Sequence, residues 1–121
     1  MSEPLLYPGE RLDDLQYRGL RVIQRPEAFR FSMDAVLLAA FASLRKRARV
    51  CDLGAGTGVL SLLMAAREDT ARFDAVEIQP DIADMAARSV TLNGLDGRIA
   101  VHARDIRDAL SFLPVGRYDL C

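Results

Sequence analysis

The sequence predicts an open α/β fold built on a parallel sheet, and three observations point to it. From Arg49 onward, short apolar runs alternate with longer segments of helical periodicity. The first of those runs enters a turn carrying three glycines, Gly54, Gly56 and Gly58. Half of the 121 residues are hydrophobic and 27% are charged, a balance that suits one globular domain around a buried sheet. Strands separated by helices imply right-handed crossovers, and therefore parallel pairing.

Residues 1–31 are mixed in character and punctuated by Pro4, Pro8 and Pro26, which sets them apart as an N-terminal segment from an α/β unit over 32–121. Leu15-Gln16-Tyr17 and Leu20-Arg21-Val22-Ile23-Gln24 flank Arg18-Gly19 and read as a short strand pair. Ser32 suits a helix N-cap, with Asp34 in the first turn. Met33, Val36, Leu37, Ala40, Phe41 and Leu44 recur at helical spacing, predicting an amphipathic helix over 33–46. Arg49–Leu53 is then a strand, Val59–Arg67 a buried helix and Phe73–Ile78 a second strand. Pro80 opens the next helix and Asn93-Gly94 closes it, with Ile82, Met85, Ala86, Ser89, Val90 and Asn93 along one face. Arg98–Ala103 is a third strand, followed by a short helix around Ile106–Phe112. Tyr118-Asp119-Leu120-Cys121 reads as the start of a fourth.

Composition excludes several classes. No run approaches the ~18 apolar residues that span a bilayer, and the first residues lack the basic and apolar pattern of a secretory signal. Cys51 and Cys121 stand seventy positions apart with no metal-ligand spacing, so neither a disulfide framework nor a metal site is expected and a reducing cytoplasm is the default. Ser61 lacks the surroundings of a nucleophile elbow. Met33, Met64 and Met85 read as core residues, Cys51 as a small buried one, and His102, the only histidine, as a satisfied structural side chain. Charge is uneven. Residues 1–50 carry nine Arg/Lys against six Asp/Glu, a balance of +3; residues 51–121 carry seven against eleven, a balance of -4. Arg45-Lys46-Arg47-Ala48-Arg49 is the steepest cluster. It reads either as a phosphate-facing patch or as cations complementing the C-terminal end of the preceding helix.

The segment richest in chemistry is Val50-Cys51-Asp52-Leu53-Gly54-Ala55-Gly56-Thr57-Gly58. Glycines let the chain bend sharply between strand and helix and let a ligand approach the backbone. Their spacing is GxGxG rather than the GxGxxG of dinucleotide-binding turns. An acid two residues before the first glycine would repel a pyrophosphate and suit a ligand bearing an ammonium or sulfonium charge. Glu77, at the end of the second strand, can accept both hydroxyl protons of a ribose. Asp105, just past the third, can accept from an adenine amino group and equally suits a helix N-cap. The three acids converge where open α/β sheets bind ligands.

With these residues in place, the sequence resembles the class I S-adenosylmethionine-dependent methyltransferases. Residues 50–58 resemble their first motif, Ala75-Val76-Glu77-Ile78 their second, and Ala103-Arg104-Asp105-Ile106 their adenine-contacting loop. Upstream, Gly9–Leu15, Gly19–Gln24 and Phe29–Ala39 resemble the bacterial tRNA(valine) adenine-N6-methyltransferase-like family. The resemblance implies a Rossmann-like class I methyltransferase fold, here its N-terminal cofactor-binding half with about four parallel strands, in the order 3-2-1-4 of the family's 3-2-1-4-5-7-6 sheet. It implies S-adenosyl-L-methionine as cofactor, held by Asp52, Gly54, Gly56, Gly58, Glu77, Ile78, Asp105 and Ile106, with Phe31, Ser32 and Asp34 enclosing the methionine end. It implies tRNA as substrate. The family's Asn-Pro-Pro-Tyr motif, expected after the fourth strand, does not occur in residues 1–121, so no catalytic residue is assigned among them. An open edge at the fourth strand would favour a homodimer through that edge. Two other classes compete: a non-catalytic cofactor-binding or interaction module, and an NAD(P)-binding oxidoreductase domain, which the glycine spacing and Asp52 disfavour.

Overall fold

The computed structural model of the chain describes residues 6–25, 33–114 and 116–121. It begins with an antiparallel pair, β1 (Arg11–Asp14) and β2 (Arg21–Gln24), in which Leu12 faces Ile23 and Asp13 faces Val22. The pair was expected, but its first arm lies upstream of Leu15–Tyr17. A side chain makes the difference: Asp14 Oδ1 accepts the Gln16 N–H at 2.6 Å. Gln16 and Arg18 then take φ values of 55° and 53°, a left-handed conformation that cannot continue a strand. Residues 15–20 therefore form the loop, closed by Leu15 N–H on the Leu20 carbonyl at 2.9 Å.

Helix α1 spans Met33–Phe41, shorter than the expected 33–46, and no basic residue lies in its last turn. Its inner face also differs. Ala39 is buried, with Ala35, Val36 and Ala42 packed on the core, whereas Leu37, Leu38 and Phe41 are exposed, Phe41 to 85%. Small residues let α1 lie close against α2 (Val59–Arg67). The helix-end reading of the Arg45–Arg49 cluster does not hold, because α1 stops at Phe41. Arg45 pairs with Asp119, the Arg47 N–H donates to Thr70 Oγ1 at 2.7 Å, and Arg49 lies 3.5 Å from Asp74.

β3 (Arg49–Leu53), β4 (Arg72–Val76) and β5 (Ile99–His102) form a parallel sheet in the order β3-β4-β5. Cys51 pairs with Asp74 and Ala75 with Val101. On the free side of β3, Leu120 makes a single parallel bridge to Val50, so the fourth strand is represented by one bridge beside three strands. The order across the sheet, β5-β4-β3-Leu120, is the expected one. One face carries Val50, Phe73, Ala75 and Ile99, buried with Leu62, Met64 and Ala65 of α2 and with Val90 of α3 (Pro80–Leu92). The other carries Asp74, which accepts from Tyr118 Oη at 2.7 Å and lies 2.8 Å from His102 Nε2. His102 is thus satisfied within the fold, as its strand position suggested. A 3-10 turn (Ile106–Asp108) and α4 (Ala109–Phe112) follow β5. Among the described residues, no helix is long and apolar enough to cross a membrane.

The β1–β2 pair is fastened to α3 by side chains that take the place of a third strand. Ser89 Oγ accepts the Ile23 N–H at 2.9 Å, while Asn93 accepts the Arg21 N–H at 3.0 Å and donates to its carbonyl at 2.7 Å. Arg88 grips Glu10 through two bonds of 2.6 Å and stacks 3.9 Å over the Tyr7 ring. Glu10 has 0% side-chain exposure. The Arg88 bond holds its carboxyl below the usual range. The folded form therefore binds this proton more weakly than the unfolded chain. Its stabilisation is present at neutral pH and is lost as pH falls through the acid range. Arg88→Met, which leaves the Glu10 carboxylate buried without its partner, is expected to cost about 3 kcal/mol at pH 7. The deficit should shrink toward pH 3, read as urea midpoints at both values.

Candidate functional site

The carboxyl ends of β3 and β4 are tied together through the glycine turn. The Val76 carbonyl accepts two backbone N–H groups, from Gly54 at 2.8 Å and Ala55 at 2.9 Å. Gly54, Gly56 and Gly58 adopt φ values of 71°, 59° and 87°, which side chains disfavour. A Cβ at Gly54 would meet nothing within 4 Å, so that position opens onto free space. At Gly58 a Cβ would meet the Ala86 Cβ at 3.4 Å, an ordinary contact, so it is the left-handed backbone that favours glycine there. No side chain caps the amino end of α2.

Two acids stand beside this turn. Asp52, on β3, is buried and accepts a hydrogen bond from Ser61 Oγ at 2.8 Å. Burial pushes its carboxyl above the usual range; the Ser61 bond opposes that rise and the neighbouring Glu77 charge adds to it. Glu77, one residue beyond β4 and also buried, spreads its carboxylate between two backbone donors. Oε1 takes the Gly56 N–H at 2.9 Å and Oε2 the Gln79 N–H at 3.0 Å. Its own N–H reaches the His102 carbonyl at 3.0 Å, linking the site to β5. Each oxygen keeps lone pairs for a ligand hydroxyl.

Asp105 lies at the same edge of the sheet, past β5, and caps the 3-10 turn by accepting the Arg107 N–H at 2.9 Å. Its Oδ2 also holds the Arg107 guanidinium at 2.6 Å and 2.9 Å, and this pairing lowers its carboxyl pKa. Glu77 and Gly56 are thus joined, with Asp52 near enough to feel the Glu77 charge, whereas the Asp105 side chain is engaged by Arg107. Ile78 and Ile106, beside Glu77 and Asp105, are exposed apolar side chains. Phe31 and Ser32 lie outside the described residues, as does the side chain of Asp34. Ser61 is the site residue that motif reading passed over. The signal available was a hydroxyl at the third helical position after Gly58. Among the described residues no group of three potential metal ligands occurs.

Comparisons with known proteins follow the same lines. Residues 32–120 match the family described as the methyltransferase small domain. A protein of Cronobacter sakazakii named tRNA1(Val) (adenine(37)-N6)-methyltransferase is 41% identical over 81 residues, covering 66% of this chain and 33% of its own length. One of the same name from Pedobacter heparinus is 35% identical over 105 residues, covering 87% and 44%. The chain therefore spans less than half the length of these relatives. Among solved structures, TYW2 of Pyrococcus horikoshii in complex with MeSAdo superposes with a TM-score of 0.69 at 24% identity, covering 84% of this chain and 38% of that one. The fold is accordingly that of the class I methyltransferases, in part.

Ser61→Ala removes the one hydroxyl that opposes the rise in the Asp52 pKa. Because the folded form already holds this proton more tightly than the unfolded chain, stability falls as pH climbs from the unfolded pKa through the folded one. The variant should move the Asp52 titration, followed by carboxyl carbon NMR, further upward and cost about 2 kcal/mol at pH 7. Ser61→Thr should leave the titration near that of the parent.

Proposed function

The chain belongs to the methyltransferase small domain family, and on that premise we propose that it is the cofactor-binding part of an S-adenosyl-L-methionine-dependent methyltransferase acting on adenine N6 in tRNA. The observation that carries the cofactor assignment is the Glu77 carboxylate. It is anchored by the N–H groups of Gly56 and Gln79 beside a second buried acid, Asp52. A carboxylate fixed in this way is preorganised to accept two ribose hydroxyls without losing its backbone partners.

The remaining assignments are built on the same pocket. Asp52 faces the cationic part of the ligand, and a glycine turn open at Gly54 leaves room for it against the backbone. Ile78 and Ile106 offer exposed apolar surface for the two sides of the adenine. Asp105 accepts from its amino group, sharing an oxygen now held by Arg107. Phe31, Ser32 and Asp34 are assigned to the methionine end on family resemblance alone. When bound, the cofactor supplies an electrophilic methyl group on sulfur. The role of residues 1–121 is to bind and orient it, and no residue among them is assigned to catalysis.

Support for the acceptor comes from the relatives' names. Both the Cronobacter and the Pedobacter proteins are named tRNA1(Val) (adenine(37)-N6)-methyltransferase. We place the division between the N-terminal segment and the cofactor unit at residues 31 and 32, and the protein in the cytoplasm. Exposed Leu38 and Phe41 beside Leu120 favour a homodimer along that edge, which sedimentation of the chain would detect as a doubled mass.

Isothermal calorimetry tests the central assignment. S-adenosylmethionine or S-adenosylhomocysteine should bind with a Kd of roughly 10–100 µM. Glu77→Ala should weaken binding at least tenfold, since two charge-assisted hydrogen bonds are lost. Binding of the cationic methyl donor should also weaken as pH falls through the raised Asp52 pKa, because protonation removes the charge that faces the sulfonium. A chain that is folded by circular dichroism and gives no heat with either ligand, or that prefers NADH, would overturn the assignment.

A further inference from the structure

Cations gather at the edge of the sheet where β3, β4 and β5 begin, opposite the edge that holds Asp52 and Glu77. Arg18, Lys46, Arg47, Arg67 and Arg72 are exposed there, and Arg98 is half-buried. They meet around the end of α2 and the turn that follows it. Arg18 donates to the Ala66 carbonyl at 2.9 Å. Arg98 donates to the carbonyls of Ala65 at 2.9 Å, Ala71 at 3.0 Å, and Glu68. Arg67 reaches the Ala39 and Ala42 carbonyls at the end of α1, and Arg72 the Gly97 carbonyl at 3.2 Å. The Arg47 N–H bonds Thr70 in the same turn, and Glu68 feels the charges of Lys46 and Arg98.

The partners these cations use set them apart. Arg11, Arg45, Arg49, Arg88 and Arg107 each face a carboxylate. Among the described residues, the six cations of the strand-start edge form no such ion pair. A backbone carbonyl orients a guanidinium without cancelling its charge, and a guanidinium has five N–H donors to share. Three acids, Glu68, Asp69 and Asp96, lie among the six cations, so a positive balance remains. At the other edge Asp52, Glu77 and Asp105 reverse the sign. A polyanion approaching the chain is therefore steered toward the strand starts.

From this carbonyl-held cluster we infer that the strand-start edge, at Arg18, Lys46, Arg47, Arg67, Arg72 and Arg98, is a docking surface for the sugar–phosphate backbone of RNA. The inference rests on the reading of tRNA as the methyl acceptor. Guanidinium forks match pairs of phosphate oxygens. Their spread over the β1–β2 loop, α2, β4 and the start of β5 suits a continuous row of charges, one per ~3.4 Å along a nucleic-acid strand. An acidic peptide offers no such regular row. Phosphate contacts position a nucleic acid without reading its sequence. Strands of four or five residues put the two edges roughly 15 Å apart, so this surface holds the body of the RNA away from the acceptor base.

Fluorescence anisotropy with a labelled tRNA transcript supplies the test, over a salt range of about 50 to about 200 mM KCl. The combined variant Lys46→Gln, Arg47→Gln, Arg72→Gln, folded by circular dichroism, should bind at least tenfold more weakly at the low-salt end. Its slope of log affinity against log salt should be shallower by about two. Arg47→Lys with Arg72→Lys, which keeps the charges, should retain the parent slope. Arg11→Gln, on β1, should change affinity less than twofold. A parent chain that does not bind the transcript, or a combined variant with the parent's affinity and slope, would overturn the inference. Polyglutamate binding as tightly as the transcript would overturn it too, in favour of an acidic protein partner. Calorimetry with S-adenosylmethionine separates this inference from the cofactor reading, since the combined variant should bind the cofactor as the parent does. A chain that binds RNA through this edge but gives no heat with the cofactor supports the inference and overturns the cofactor reading alone.

Discussion

One carbonyl oxygen holds the functional edge of this protein together. Val76 ends β4, and its oxygen receives the N–H groups of Gly54 and Ala55, the first two residues after β3. A chain leaving a strand normally takes its backbone bonds with it, but here the turn stays fastened to the neighbouring strand after regular pairing has stopped. Two consecutive N–H groups can converge on one acceptor only if the chain curls tightly, which the left-handed Gly54 and Gly56 permit. The next donor, Gly56, reaches past that carbonyl to the Glu77 side chain. Parallel β3–β4 pairing thus determines where Glu77 stands, and Glu77 in turn fixes the middle of the glycine turn. A change that slipped this register would displace the turn and the acid together.

The parts visible in the sequence are those coded by local chemistry. Helix α2 begins after Gly58 and α3 at Pro80, with Asn93 and Gly94 at its end, because a left-handed glycine, a proline at a first turn and an Asn-Gly stop act within a few residues. The positions of Asp52 and Glu77 at strand ends could be read for the same reason. Helix α1 could not be oriented, since every residue from Met33 to Phe41 except Asp34 is apolar and periodicity has nothing to contrast. Close packing by Ala35, Ala39 and Ala42 chose the face instead. The first arm of the β1–β2 pair was misplaced because one Asp14–Gln16 bond decides where the strand stops. The Asp74 cluster depends on register, joining residues that are 28 and 44 positions apart.

The sheet has two unlike faces, and the difference organises the chain. Helices α2 and α3 bury the face bearing Val50, Phe73, Ala75 and Ile99. On the opposite face the paired residues Arg49, Asp74 and His102 are polar and satisfy one another, joined by Tyr118 from beyond α4. Burial alone would raise the Asp74 carboxyl, but the bonds from Tyr118 and His102 outweigh it and hold the group below its usual range. This cluster therefore stabilises most above the acid range, as does the Glu10–Arg88 tie on the far side of α3. The Asp74 cluster anchors the 116–121 segment to the sheet, and with it the bridge that carries Leu120 and Cys121 to the edge of β3.

Electrostatics at the pocket run the other way, and that contrast bears on which ligand it can hold. Asp52 is buried, gains one hydroxyl bond and feels the nearby Glu77 charge, so its ionised form is held at a cost. An added anion would raise it, which makes the turn a poor seat for a pyrophosphate even though glycines and a helix amino end are present. A cation beside Asp52 lowers the cost, and the free energy recovered contributes to binding. Ribose hydroxyls donating to Glu77 disperse the second charge in the same manner. A ligand that brought one cation and two hydroxyl donors would relieve both acids, as the proposed cofactor assignment requires.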